Sequence, residues 1–210
     1  MIYCYDNALV EDMKRTIDPN GEANPNVLCI TIDNYQSTLA QLQEDKITYP
    51  IILYIRDDDI PVKKDQINFT RYKKGVPAAI DPKTNMIYYE RALPLDLRYT
   101  IQILSTNVVD RDELAREIWF KYESEYFLHI ETPYEVKRKL RFGVQIDRDF
   151  GIKNDSGASE YLSEGKLYTS TMELLTDGCV LLHNTPRHLN REIIDTKNIQ
   201  IKNPEGSIKN

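Results

Sequence analysis

The sequence predicts an α+β fold: a mixed or antiparallel β-sheet with helices packed on one face, plus a β-rich C-terminal extension. Short apolar or alternating runs typical of strands recur along the chain, and they dominate it from residue 57 onward. Of the 210 residues, 41% are hydrophobic and 29% are charged, which is typical of a folded protein with its own core. We expect a core domain over residues 1–146, a polar loop over 147–165, and an extension of the same domain over 166–210.

The first 56 residues combine helical and strand patterns. Leu9, Met13 and Ile17 recur at helical spacing. Asp6 can cap the N-terminus of that helix, which is predicted over 6–17. The order that follows is strand, helix, strand, which is the order of a βαβ unit, although the connections are short for one. These three predicted elements are the strand 27–32, the helix 35–45 and the strand 50–56.

The rest of the chain is predicted to be mostly β-structure around one long helix. The sequence DPKTN predicts the turn of a hairpin between two strand-like runs. Further along, Tyr99, Ile101 and Ile103 fall on one side of a strand predicted over 97–104. The clearest helix is predicted over 110–126, where Asp110 and Glu113 fit a capping box. The other predicted strands are 67–73, 75–80, 86–92, 136–146, 167–175 and 179–182, with a further short one at 199–201.

Composition and motifs argue against several functional classes. The net charge is −6, so the chain as a whole is not suited to coating nucleic acid. Three scattered cysteines (Cys4, Cys29 and Cys179) cannot form a disulfide framework and indicate a reducing compartment. No apolar run reaches the roughly 18 residues of a membrane span and no signal peptide opens the chain, so we expect no membrane association. The common Gly-rich phosphate-binding, G-x-S-x-G and H-E-x-x-H motifs are all missing, so we expect no enzymatic activity and no cofactor.

A run of three carboxylates has the chemistry of a metal site. Asp57-Asp58-Asp59 follow an apolar strand, a position from which carboxylates hold Mg²⁺ in phosphoryl chemistry. Such sites need a second carboxylate group, for which Asp147 and Asp149 are candidates. The alternative, which we favour, is a solvated acidic loop.

A second potential metal site combines cysteine and histidine. Cys179, His183 and His188 have the spacing C-x₃-H-x₄-H, which suits Zn²⁺, but a closed structural site needs four ligands. We favour ordinary packing of Cys179 within an apolar strand. The sequence therefore predicts no metal site and no catalytic residue.

A local basic stripe is the most distinctive feature of this acidic chain. In the predicted strand 136–146, period-2 alternation puts Lys137, Lys139 and Arg141 on one face. Such a stripe can face nucleic acid or an acidic neighbouring subunit. Alternatively, it is a solvent-exposed face whose lysines protect an edge strand against aggregation. Trp119 and Tyr122 on the long helix are further interface candidates, because aromatic residues are enriched at protein interfaces.

The order of these elements has a counterpart in a known family. An N-terminal helix is followed by a strand that opens with Pro50, then by a hairpin around Asp81-Pro82. The strand LDLRYTIQIL and a helix led by DRDEL come next. In this order and patterning the chain resembles the tail terminator, or tail-completion, proteins of tailed bacteriophages, which join the tail tube to the neck. The segment 27–49 and the β-rich last third are additional to the core of that family.

The resemblance implies a structural protein that assembles into a homo-oligomeric ring, expected to be a hexamer. Its implied partners are the tail tube and the neck or connector proteins, and in a contractile tail also the sheath. The implied location is the virion, after assembly in the bacterial host cytoplasm, with nucleic acid only passing through the lumen of the ring. Another phage neck or baseplate component is the alternative within this class. A metal-dependent nuclease using Asp57–Asp59 and a regulatory binding module are the alternatives outside it.

Overall fold

The computed structural model describes residues 1–18, 20, 26–44, 49–62, 76–80, 87–90, 92–133, 137, 139–155 and 167–182. The chain divides into two compact units, Met1–Lys63 with Pro94–Leu181 and Lys64–Leu93 with Leu182–Asn210. The helices are α1 (Ile2–Ile17), α2 (Tyr35–Glu44) and α3 (Val108–Tyr122), with a short 3₁₀ helix at Ile32–Asn34. The strands are β1 (Asn26–Thr31), β2 (Ile51–Arg56), β3 (Val76–Ile80), β4 (Ile87–Glu90), β5 (Ala92–Pro94), β6 (Arg98–Ser105), β7 (Tyr126–Glu131), β8 (Lys139–Ile146), β9 (Lys153–Asp155), β10 (Tyr168–Asp177) and β11 (Val180–Leu182).

A seven-stranded mixed sheet forms the centre of the first unit. Its strand order is β1-β2-β6-β10-β8-β7, and β9 pairs with the first part of β10. The pair β1–β2 is parallel, with Val27 opposite Ile52, whereas the other pairs are antiparallel. The predicted α+β fold is thus confirmed. The βαβ order of β1, α2 and β2 is also confirmed, because a parallel pair requires a crossover connection of this kind.

The main core lies between one face of the sheet and the helices α1 and α3. From α1, Tyr5, Leu9 and Met13 are buried there, and from α3, Ala115 and Ile118. The facing strand residues alternate along each strand, as expected for a sheet with this face buried. They include Ile52, Tyr54, Tyr99, Ile101, Ile103, Leu128, Phe142, Val144, Ile146, Met172 and Leu174.

Helix α2 packs on the opposite face, over β1 and β2. Tyr35 and Leu39 of α2 contact a smaller cluster that contains Ile51, Leu53 and Ile55 of β2. The expectation of helices on one face is therefore right for α1 and α3 and wrong for α2. The physical reason is that the first five residues of β2 are all apolar, so both faces of this strand must be covered.

Three helix ends lie at other residues than the local sequence pattern predicts. Helix α1 begins at Ile2, so Asp6 is not its cap. Helix α3 begins at Val108 and is capped by Asn107, whose side-chain oxygen accepts a hydrogen bond from the backbone N–H of Val109 at 3.0 Å, so the capping box is wrong. The same helix ends at Tyr122, and Tyr126, the last residue of the predicted helix, is the first residue of β7.

The C-terminal part of the chain is more integrated than the predicted division implies. Strand β10 pairs with β6 on one side and with β8 and β9 on the other, so it lies inside the main sheet. The predicted polar loop 147–165 contains β9. Strand β10 is ten residues long, so it can pair along both of its edges with strands that are distant in sequence.

The second unit contains the predicted hairpin. Strands β3 and β4 pair antiparallel, with Val76 opposite Glu90 and an irregularity between Pro77 and Ala79, which confirms the predicted strand pairing. The predicted turn, residues 81–85, lies outside the described residues. A separate two-stranded sheet pairs β5 with β11. The predicted strands 67–73 and 199–201 lie outside the described residues, as do His183 and His188.

Candidate functional site

The candidate site is the face of the sheet that lies opposite α1 and α3, at strands β7, β8 and β10. Strand alternation places the core residues Leu128, Ile130 and Phe142 on one side and their neighbours in sequence on the other. The register confirms this, because His129 is opposite Arg141 and Glu131 is opposite Lys139. We call this surface the open face, and its strand residues are Phe127, His129, Glu131, Lys139, Arg141, Gln145, Glu173, Leu175 and Asp177. The side chain of Glu125 lies over Gly143 on the same face.

The basic stripe lies on the open face. Lys139 and Arg141 are exposed on β8 as the alternation predicts, and Lys137 is exposed just before the strand. Lys137 makes a weak, exposed ion pair with Glu131, its Nζ lying 3.9 Å from Oε1. Among the described residues, no carboxylate pairs with Lys139 or Arg141. Lys139 and Arg141 are therefore the two cations of the stripe without an ion-pair partner in the described part of the molecule, on a face that also carries carboxylates.

An aromatic ring holds the end of the stripe in place. The guanidinium carbon of Arg141 lies 3.4 Å from the centre of the Phe127 ring, in cation–π contact. Phe127 is 40% exposed and Leu175 is 37% exposed, so both add apolar surface to the open face. Because β7 and β8 belong to a sheet covered on its other side by the core, these side chains stand on a rigid support. The arrangement combines ordered cations with exposed apolar groups, which is the composition of many protein interfaces.

Of the two aromatic interface candidates on α3, only Trp119 reaches the surface. It is half-buried and lines a cleft of about 520 Å³ together with Phe120 of α3 and Ile152 and Asn154 of the β8–β9 segment. Phe120 is 66% exposed. Tyr122 is completely buried, so its assignment to an interface is wrong. The helical spacing that groups Tyr122 with Trp119 places it on the core side of α3.

Tyr122 belongs to a partly buried polar network that the sequence did not indicate. Its hydroxyl donates a hydrogen bond to Oδ2 of Asp12 at 2.8 Å and lies 3.4 Å from the hydroxyl of Tyr54. Lys121 Nζ also lies 2.8 Å from Asp12 Oδ2, and the Tyr126 hydroxyl donates to Oδ1 at 3.3 Å. Burial raises the pKa of Tyr122, and the neighbouring Tyr54 and Asp12 raise it further. This network anchors α1 to α3 and β7.

A second partly buried carboxylate, Asp6, anchors α1 to the sheet. It forms an ion pair with Arg56 at the end of β2 and accepts a hydrogen bond from the Tyr99 hydroxyl at 2.8 Å. Nearby, burial and then the charge of Asp6 raise the pKa of the Cys29 thiol to about 12, so this cysteine stays protonated at neutral pH. A protonated thiol is a poor nucleophile and metal ligand. No local signal identifies Asp6 or Asp12, because their partners are 50 to 114 residues away in sequence.

The possible metal residues do not converge. Strands β6 and β10 separate β2 from β8, so Asp57 and Asp147 extend from strands roughly 14 Å apart at the usual strand spacing. Asp58 and Asp59 are exposed, as a solvated loop requires. Cys179 is buried in the core, with its Sγ 3.4 Å from the hydroxyl of Thr176. Among the described residues, no group of three or more His, Cys, Asp or Glu side chains is arranged to hold a metal ion.

No family model matches the chain, and no curated protein matches its sequence. The candidate site is therefore assigned from the residues of this chain alone. Within the described part of the chain, no helix has the length and apolar character needed to cross a membrane.

Proposed function

We propose that this protein is a structural component of a tailed bacteriophage, a tail terminator that forms a ring on the tail tube and joins it to the neck. The observation that carries the proposal is the open face, where Lys139 and Arg141 lack a described carboxylate partner and Arg141 stacks on the exposed Phe127. The order of the elements, on which the resemblance to that family depends, supports the same conclusion. The virion location and the contacts with tube, neck and sheath belong to this proposal.

The open face has the physical properties that a subunit contact needs. The backbone of these strands is already ordered by the sheet, so binding has to order only the side chains. Arginine and aromatic residues dominate the binding energy of many interfaces, particularly where they form one cluster. A role in assembly uses these properties directly, since a ring needs complementary surfaces on each subunit.

Charge reversal of the stripe tests the proposal. We expect purified wild-type protein to form an oligomer with a defined mass in light scattering, and the K137E/K139E/R141E variant to remain monomeric at the same concentration. Like charges placed opposite each other across a contact are strongly unfavourable. A matched control is K14E/R15E/R148E, which reverses the same number of charges away from the open face and should still assemble. Equal assembly of the stripe variant and the wild type would remove the open face from the proposal.

A neck or baseplate component is the second candidate, because such a protein would also use the open face to contact neighbouring subunits, although the neighbours would be different proteins. The two are separated by position in the assembled particle. Labelling the protein on purified virions should mark the junction of tail and neck if it is a terminator. Label at the distal end of the tail would instead assign it to the baseplate.

A further inference from the structure

We draw no further inference here: the strongest candidate, the apolar cleft between α3 and the β8–β9 segment that Trp119, Phe120 and Ile152 line, carries none because nothing in the described part of the structure shows what covers it.

Discussion

Alkaline unfolding should reveal the buried tyrosines around α1. Burial raises the pKa of Tyr54, Tyr99 and Tyr122 above the usual value of 10, with Asp6 or Asp12 adding to the shift. Below about pH 10 these hydroxyls are protonated in both the folded and the unfolded chain, so they give no pH dependence. Above it, the unfolded chain releases their protons and the folded chain retains them. Stability present below about pH 10 is therefore lost as the pH rises.

The size of the effect follows from the number of protons. Each proton released on unfolding lowers the free energy of unfolding by about 1.4 kcal/mol per pH unit. Three buried tyrosines give about 4 kcal/mol per pH unit above pH 10, and the Cys29 thiol adds to the slope up to its pKa of about 12. Since a domain has only about 5–15 kcal/mol of stability, such a slope unfolds it within a few pH units.

The Tyr54→Phe variant isolates one of these protons. Among the described residues, its hydroxyl makes only a long 3.4 Å contact with Tyr122, so the loss of stability near neutral pH should be about 1 kcal/mol or less. Denaturant unfolding at a series of alkaline pH values should show a slope lower by about 1.4 kcal/mol per pH unit. The control is Ile101→Val, at the position opposite Tyr54, which costs about 0.5–1.5 kcal/mol without changing the slope. An identical slope in Tyr54→Phe and the wild type would refute the reasoning.

Three further predictions concern other parts of the fold. Asp6→Asn leaves Arg56, whose side chain is 17% exposed, without its carboxylate, so the free energy of unfolding should fall by about 3 kcal/mol, and Asp6→Asn/Arg56→Met should recover part of this loss in a double-mutant cycle. Asn107→Ala removes the N-cap of α3 and should cost about 1 kcal/mol in denaturant unfolding, whereas Asp110→Asn should cost less, because Asn107 and not Asp110 is the cap. Met172→Ala empties a fully buried position in β10 and should cost about 2–5 kcal/mol, a loss that would be much smaller if β10 were a peripheral extension.

Sequence patterns were sufficient where one face of an element is buried against the core. The alternation of Tyr99, Ile101 and Ile103 defines β6, and the alternation of Lys139 and Arg141 places the stripe on the outer face of β8. The same reasoning failed at Tyr122, because helical spacing groups apolar residues without showing which of them faces the core. It also failed for β7, where Tyr126 continues the apolar spacing of the preceding helix although the chain has turned into a strand.

Interactions between distant residues lay beyond the sequence patterns. Asp6 and Asp12 resemble ordinary polar residues of an amphipathic helix, and only the folded chain brings Arg56, Tyr99 and Tyr122 to them. The open face is of the same kind, because it depends on the position of β8 beside β7 in the sheet, which the sequence did not specify.

The mass and shape of the purified wild-type protein test the central claim most directly. Light scattering at high protein concentration, with negative-stain images of the same fractions, measures both. A tail terminator that assembles from copies of this chain predicts a closed particle of defined mass, expected at six times the 24.5 kDa chain and ring-shaped with a central hole. A protein that remains a monomer at the highest attainable concentration, or that stops at a symmetric dimer, would contradict the account.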